Sequence, residues 1–357
     1  MLTRKVLFFY PHRHLNASGV LHHMEIRELI AHLCPEAQRD DIQIVRIKGD
    51  ASNRQYFRLS SRQGSQIACI DPTFRGGSPE TYPFMTVGRL LECHGVRVPE
   101  VLAVESSEGL LLLEDCGDRM LQDEAELLDV ETLSTRYRQV IDILVKIQSI
   151  PRDGEAIPFS LSFDHEKLMF EFDFFIQHAL RGLFAEVLGE EAITALRREF
   201  DAIATLLVRP EHFVLNHRDF HSRNIMLFGN EPVVIDFQDA RLGLPQYDAV
   251  SLLRDSYVSL DASMVDSLKE YHYRELEKKG VISMGFEEYL RYFDLMAFQR
   301  NIKAIGTFCY QVSVAGNRSF ERSIAPTFAF LPAYVEARPE LATAGRLMVP
   351  LISRFIP

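Results

Sequence analysis

The sequence lacks the features that would mark a membrane protein or a chain held together by disulfides or zinc. No apolar run approaches the roughly 20 residues that a helix needs to span a bilayer. The five cysteines contain no CxxC pair and stand at wide spacing, so neither a zinc site nor a disulfide framework is supported. Reduced thiols are typical of the cytosol, and we expect a cytoplasmic protein with no membrane partner.

An excess of positive charge is also missing. The formal net charge is −11 at pH 7. A uniformly acidic chain repels nucleic acid and anionic membranes, so we expect no nucleic-acid partner. An anionic substrate would need cations placed locally, or a metal ion. The oligomeric state is left open.

Residues 1–23 are expected to form a flexible leader. Its apolar segment "VLFFY" has only five residues and stops at Pro11, which is too short for the apolar core of a signal peptide. Met24 stands at the start of a helical pattern and is an alternative start of the chain.

The length and the hydrophobic patterns predict two lobes of different composition. A chain of 357 residues exceeds what one core usually supports. Alternation and turns predict an antiparallel meander over 42–70 and two further strands over 98–117. Helical spacing covers 24–34, 83–95 and most of the chain beyond 117, for example 133–150, 164–187, 189–208, 247–279 and 286–312. We predict an α+β fold with lobes over 24–115 and 116–357, the second containing a small β segment at 213–237.

The segment "NHRDFHSRNIMLFGNEPVVIDFQDA", residues 216–240, places many polar side chains beside apolar strands. The turn-prone "GNE" predicts a hairpin with a three-residue loop, in which Phe228 pairs with Pro232. Asn224 then lies opposite Asp236, about 5 Å away on the same face. An amide oxygen and a carboxylate suit Mg²⁺, and Asp219 in the preceding loop is left to handle a proton.

The spacing of these residues is the signature of kinase-like phosphotransferases. His217, Asp219 and Asn224 give H-x-D-x-x-x-x-N, and Asp236 lies in the following I-D-F. The segment resembles the aminoglycoside/choline phosphotransferase family. Within it, the chain is similar to the bacterial anomeric kinases of N-acetylmuramate and N-acetylglucosamine in cell-wall recycling. Two further segments share this likeness: "GDASNRQYFRL" (49–59) and "FQRNIKAIGTF" (298–308).

The resemblance implies a two-lobed protein-kinase-like fold that uses ATP and Mg²⁺ to phosphorylate a small-molecule sugar. It implies that Asp219 is the catalytic base and that Asn224 and Asp236 hold the metal. The N-terminal lobe would bind the nucleotide and the C-terminal lobe the acceptor. Adenine would lie beside the connector residues Leu113, Glu114 and Cys116. Positioning and neutralisation of the phosphate oxygens would then supply most of the catalysis.

One part of the kinase pattern is missing. The third strand, "QIACID", has no lysine to bind the nucleotide phosphates, and Gly49 is the single glycine of the loop that would cover them. Arg54, Arg58 and Arg75 are the candidates for the replacement cation.

Several further residues are candidate contacts of the acceptor. They are His221, Arg223, Asp239, Asp173, Arg300 and Lys303. We interpret His217 as a brace of the loop and Asp248 as a helix cap.

Three other functions remain open at this stage. The acceptor could be another alcohol, such as an aminoglycoside, choline or a different hexose. A polycationic aminoglycoside should meet many carboxylates, whereas a sugar acid needs at least one cation. His217, Asp219 and His221 alternate as metal ligands would on a strand, which is the pattern of a metal-dependent hydrolase. The missing lysine suggests a kinase-like binding module without turnover.

Overall fold

A computed structural model describes residues 23–31, 33–34, 42–47, 54–152 and 156–355. The predicted leader lies outside the described residues except for His23, as do positions 49–53 of the first loop. Internal contacts divide the chain into two compact units. The first holds the described residues up to Ser78 together with Glu100–Asp115, and the second holds Pro79–Pro99 and the described chain from Cys116 onward.

The first unit is built on an antiparallel sheet of five strands. They are β1 (Gln43–Ile47), β2 (Gln55–Ser61), β3 (Gly64–Ile70), β4 (Val101–Glu105) and β5 (Leu110–Glu114), in the order β1-β2-β3-β5-β4. Gly64 turns β2 into β3 with a φ of +138°, a conformation that glycine adopts without steric cost. The predicted meander over 42–70 is confirmed.

One face of this sheet is covered by helix α1 (His23–Ala31). Ile30 is buried there with Phe57, Ala68 and Leu110. The strand residues of this cluster are every second residue along each strand. The period of two along each strand therefore accounts for the apolar core of the first unit.

The second unit is mainly helical. Its helices are α2 (Pro83–Cys93), α3 (Leu121–Ala125), α4 (Val130–Gln148), α5 (His165–Phe175), α6 (Glu190–Leu207), α7 (Gln246–Leu253), α8 (Ala262–Lys278), α9 (Phe286–Ser313), α10 (Glu321–Ala329), α11 (Leu331–Ala337) and α12 (Ala342–Ile352). A π-helix, Ile176–Leu183, continues α5. None of the described helices is both long and apolar enough to cross a membrane.

Helix boundaries follow local signals in most cases. Asp129 and Asp164 cap α4 and α5 by accepting hydrogen bonds from backbone N–H groups of the first turn. Gly95, with a φ of +71°, follows the end of α2. The helical pattern predicted over 247–279 is broken into α7 and α8, and Asp261 caps the second of them.

Two short strand pairs frame the polar segment of the second unit. Strand β6 (Val214–Asn216) pairs with β9 (Arg241–Gly243), and β7 (Ile225–Phe228) pairs with β8 (Glu231–Val234). The hairpin is present, but its predicted register is wrong by one residue. Phe228 pairs with Glu231, so the loop has two residues and begins at Gly229, whose φ is +63°. Glycine at the first position of a two-residue loop suits a type II′ turn, whose twist matches that of the strands.

The shift changes which side chains share a face. Asn224 does not lie opposite Asp236, because its carbonyl accepts the N–H of Ile235 at 3.0 Å. Val233 packs with Met226 in a small apolar cluster that includes Cys116. The predicted alignment of Val233 with Ile225 and Leu227 is therefore wrong as well.

Helix α9 packs against α5 in the second unit, and Gly306 lies at a point of close backbone approach between the two helices. A Cβ atom at Gly306 would lie 2.7 Å from the Cα of Phe175 and 3.0 Å from its backbone nitrogen. Backbone atoms cannot move aside as the end of a flexible side chain can. The absence of a side chain at Gly306 therefore sets the distance between α5 and α9.

We predict that Gly306→Ala destabilises the protein. The added methyl group must push α9 away from α5, and overpacking of this kind costs about 1–3 kcal/mol. Urea unfolding measures the loss. Gly285→Ala is the control, because Gly285 caps the same helix with open space around its Cβ position; it should cost no more than about 1 kcal/mol. Equal losses in the two variants would contradict the close approach.

Candidate active site

The polar loop between β6 and β7 is held at its start by Asp248. The backbone N–H groups of His217 and Arg218 donate to its two carboxylate oxygens at 2.5 and 3.0 Å. Arg218 adopts a φ of +87°, which is costly for a residue with a side chain and persists where the surroundings hold it. Asp248 is fully buried in the first turn of α7. The prediction that it caps a helix is wrong, since it braces the loop.

A second buried carboxylate holds the other end of the loop. Ser222 donates to Asp255 through its backbone N–H at 2.9 Å and its hydroxyl at 2.5 Å. Asp255 also accepts the N–H of Tyr257. No pattern in the sequence marks Asp255 as a partner of this loop, since it lies 33 positions beyond Ser222. Together the two carboxylates fix the backbone on both sides of Asp219.

His217 lies inside the loop and has no access to solvent. Its Nε2 is 2.9 Å from the carbonyl oxygen of Ile235, and its Nδ1 accepts the N–H of Asp219 at 3.3 Å. This pattern requires the proton on Nε2. Burial lowers the pKa of His217, which keeps the ring neutral. The interpretation of His217 as a brace agrees with these contacts.

Asp219 is surrounded by three cations. Its Oδ1 lies 2.8 Å from Nζ of Lys303 and 3.9 Å from Nη2 of Arg300, and its Oδ2 lies 3.7 Å from Nε of Arg218. About a quarter of its side chain is exposed, at 26%. Burial acts to raise the pKa of Asp219, but the charges of Lys303, Arg218 and Arg300 outweigh it and hold that pKa well below its usual range. The carboxylate is therefore ionised at neutral pH.

Helix α9 supplies two of these cations from one face, because Arg300 and Lys303 are three positions apart. Arg300 donates to the carbonyl of Arg218 at 2.8 Å and lies over the ring of Tyr247, 4.3 Å from its centroid. Burial lowers the pKa of Lys303, while Asp219 opposes that change. Arg300 thus fixes the loop, and Lys303 meets the carboxylate directly.

A buried glutamate that the sequence analysis missed lies on the neighbouring helix. Glu171 of α5 accepts from Nε2 of Gln299 at 2.9 Å and lies 3.2 Å from Nζ of Lys167. Burial acts to raise the pKa of Glu171, but the charges of Lys303 and Lys167 lower it below its usual value. Glu171 is thus a second anion within the field of Lys303. No local pattern marks Glu171 and Gln299 as partners, since they are 128 positions apart.

Asn224 and Asp236 have the oxygen atoms that a magnesium ion requires. Nδ2 of Asn224 donates to the carbonyl of Asp219 at 2.9 Å, which leaves the amide oxygen as the atom of this side chain suited to a metal. Asp236 adopts a φ of +63°, and one carboxylate oxygen accepts from Gln238 at 2.8 Å. The described residues contain no cluster of three His, Cys, Asp or Glu suited to a metal. Mg²⁺ commonly takes one or two protein oxygens together with substrate phosphates, so the chemistry of these two residues suits it, and their role as metal ligands stays a prediction.

The remaining loop candidates divide into two groups. Asp239 accepts a hydrogen bond from Nη1 of Arg218 at 2.6 Å, and Arg218 lies beside Asp219. His221 packs edge-on against Tyr257, and its Nδ1 is buried without a hydrogen-bond partner among the described residues. Arg223 instead donates to Gln122 at 2.9 Å and stacks on Tyr257 at 3.9 Å. Arg223 is therefore held against neighbouring side chains, and contact of any of the three with an acceptor stays a prediction.

Asp173 is engaged elsewhere in the second unit. It forms two hydrogen bonds with Arg197, at 2.7 and 2.9 Å, in a pair that is exposed on both sides. An acceptor would have to compete with this ion pair. A role of Asp173 in acceptor binding stays a prediction.

The candidate cations of the first unit all lie beside carboxylates. Arg54 is 2.8 Å from Asp71. Arg58 forms a two-bond pair with Asp115, and exposed Arg75 pairs with Glu108. Three residues are expected beside adenine. Leu113 and Glu114 lie at the end of β5, and Cys116 belongs to the second unit. Their roles in nucleotide binding stay predictions.

Comparison with known proteins agrees with this arrangement. A family model described as the phosphotransferase enzyme family matches residues 43–278. An N-acetylmuramate/N-acetylglucosamine kinase of Pseudomonas aeruginosa is 30% identical over 311 residues, which cover 87% of this chain and 88% of that protein. A protein of the same name from Neisseria meningitidis is 29% identical over 323 residues, covering 87% of this chain and 91% of that one.

The fold agrees with a solved structure as well. An ADP-bound aminoglycoside phosphotransferase superposes with a TM-score of 0.57 at 17% identity, covering 86% of this chain and 98% of that one. The likeness confirms the predicted α+β kinase-like fold, with its antiparallel sheet followed by a mainly helical part. The chain therefore belongs to the phosphotransferase enzyme family.

Proposed function

We propose that this protein is an ATP-dependent sugar kinase that phosphorylates the anomeric hydroxyl of N-acetylmuramate or N-acetylglucosamine. Phosphotransferase activity follows from family membership, and the acceptor is the proposed part. Two relatives that the chain matches over most of its length carry these two sugars in their name. We further propose a cytoplasmic location, where ATP is available.

The likeness to the two amino-sugar kinases carries the choice of acceptor. The charges around Asp219 do not decide it. Arg218, Arg300 and Lys303 lie within 3.9 Å of its carboxylate, but Asp239 pairs with Arg218 and the charge of Lys303 also acts on Glu171. Three carboxylates therefore balance the three cations, and this balance suits an acceptor such as N-acetylglucosamine that carries no charge.

Asp219 would take the central role in the reaction. Its ionised carboxylate accepts a hydrogen bond from the acceptor hydroxyl and orients that oxygen toward the γ-phosphorus. As the new O–P bond forms, the bond from phosphorus to the β,γ-bridging oxygen breaks and ADP leaves with the electron pair. The hydroxyl proton passes to Asp219. Bonding of the acceptor oxygen to phosphorus makes its proton strongly acidic, so a carboxylate of low pKa can take that proton late in the transfer.

Asn224 and Asp236 would hold the Mg²⁺ that accompanies ATP. When bound, the metal neutralises charge on the phosphate oxygens. The hydrogen bond from Asn224 to the carbonyl of Asp219 connects one of these two residues directly to the proposed base. Arg54, Arg58, Leu113, Glu114 and Cys116 are proposed to contact the nucleotide.

We predict that ATP and Mg²⁺ support phosphorylation of N-acetylmuramate and N-acetylglucosamine with little reaction on glucose, choline or kanamycin. ATP consumption identifies the acceptor, and ³¹P NMR identifies the phosphorylated position. A signal for an anomeric phosphate on an amino sugar is the expected result. Preferred turnover of kanamycin or choline, or phosphate on another hydroxyl, would overturn the proposed acceptor.

We predict that Asp219→Asn lowers turnover by about 10²–10⁴-fold, the usual contribution of a general base. Asparagine keeps the shape of the side chain but cannot take the proton. ATP binding, measured by calorimetry, should change little, since the substitution removes a group that faces the acceptor. Near-normal turnover in this variant would exclude Asp219 as the base.

We predict that Asp236→Asn raises the Mg²⁺ concentration needed for half-maximal activity by at least about tenfold. Loss of an outer-shell partner alone costs metal sites 10–100-fold, so loss of a direct ligand should cost no less. The measurement is turnover against Mg²⁺ at fixed ATP. Glu231→Gln, an exposed carboxylate at the other end of β8, is the control. An unchanged Mg²⁺ dependence in Asp236→Asn would remove it from the metal site.

A further inference from the structure

The two carboxylate oxygens of Asp219 have different surroundings. Oδ1 accepts a hydrogen bond from Lys303 at 2.8 Å. Oδ2 has Nε of Arg218 at 3.7 Å, and the Nη1 of that arginine is bound to Asp239. Within the described chain no hydrogen bond to Oδ2 is formed. One oxygen of the carboxylate is therefore held, and the other is available to a ligand.

The ammonium group of Lys303 contacts one anion, and its charge acts on a second. Asp219 lies on the catalytic loop, and Glu171 lies on α5, where the charge of Lys303 is the strongest of those that lower the pKa of the glutamate. Gln299, one turn earlier on α9, fixes the Glu171 carboxylate. The side chain of Lys303 is 17% exposed, so it borders solvent beside Asp219 while remaining mostly enclosed.

Arg300 cannot take the place of Lys303. Its Nη2 stands 3.9 Å from Oδ1, beyond hydrogen-bond distance, and its Nη1 is bound to the carbonyl of Arg218. Its guanidinium is also fixed over the ring of Tyr247. Among the residues that the structure describes, Lys303 is thus the one cation that donates a hydrogen bond to the carboxylate of Asp219.

We propose that Lys303 is a positioning residue for phosphoryl transfer, which holds Oδ1 of Asp219 so that Oδ2 faces the acceptor hydroxyl. This inference rests on the proposed function. The hydroxyl proton passes to Oδ2 as the acceptor oxygen bonds to the γ-phosphorus and ADP departs. Lys303 keeps its own protons throughout. Without it the carboxylate could rotate, and misplacement of a reacting group by about 1 Å can cost 10²-fold in rate.

The test compares Lys303→Met with Lys303→Arg and with Lys167→Met. Methionine removes the charge at similar volume, and we expect kcat to fall by about 10²-fold with the KM values for ATP and acceptor changed less than about threefold. Arginine restores a hydrogen-bond donor, so kcat of Lys303→Arg should be at least about tenfold higher than kcat of Lys303→Met. Lys167 pairs with the same Glu171 but not with Asp219, so its variant is the matched control and should retain wild-type kcat within about twofold.

A double variant separates positioning from a merely structural role. If Lys303 acts through Asp219, then Lys303→Met should cause little further loss of kcat in an Asp219→Asn background, because residues that act as a unit are not additive. A full additional loss in that background would overturn the inference. A raised acceptor KM with unchanged kcat would also overturn it, since Lys303 would then bind the acceptor. Should the methionine variant fail to fold, Lys303→Gln serves for the same comparison.

A second reaction, the hydrolysis of ATP, tests the role of Lys303 even if the proposed acceptor is wrong. Slow hydrolysis of ATP uses water in place of the sugar hydroxyl and needs no knowledge of the acceptor. If none of the sugars is phosphorylated, the proposed function fails, and the same variants are compared by hydrolysis rate. A loss in Lys303→Met that disappears in the Asp219→Asn background supports the positioning role, and an equal loss in both backgrounds overturns it.

Discussion

The ionised carboxylate of Asp219 constrains how the loop and α9 are arranged in the second unit. A mostly buried anion is costly unless cations or N–H donors surround it, and removing one partner of such a pair leaves an uncompensated charge. Lys303 and Arg300 come from α9, and Arg218 comes from the loop itself. Loop and helix must therefore be held together. Asp248 and Asp255 meet this need by binding backbone N–H groups on both sides of the carboxylate.

The polar segment around Asp219 also breaks local rules of backbone conformation at two positions, one in the loop between β6 and β7 and one after β8. Arg218 and Asp236 are the non-glycine residues with positive φ among those described. One directly precedes Asp219, and the other is the proposed metal ligand. Such conformations persist only where the surroundings over-determine them, and they concentrate at functional sites. At Arg218 the surroundings are visible, since its N–H, its carbonyl and its guanidinium are all bound.

The sequence predicted those parts of the fold that depend on local patterns. The meander of β1 to β3, the helix at α2 and the spacing from His217 to Asp236 could all be recognised, because each is a short run of alternation, turn residues or motif. The predicted hairpin register was wrong by one residue. The residues "GNE" permit a loop of two or three residues, and the twist of the strands favours the two-residue loop. Glu171 and Gln299 were missed because their partnership forms only when α5 packs against α9. Lys303 was named as a candidate acceptor contact, but its hydrogen bond to Asp219 was not predicted for the same reason, since the two residues are 84 positions apart.

That packing connects the fold to the chemistry. Lys303 can reach Asp219 only if α9 lies at the right distance from the loop, and Gly306, less than one turn further along, brings α9 into backbone contact with α5. Protein interiors are close-packed, so a shift of α9 at Gly306 would be transmitted to Lys303 and Arg300. A glycine without any chemical group thereby helps to place the cations beside Asp219. The polar residues set the chemistry, and the close approach of two helices sets its distances.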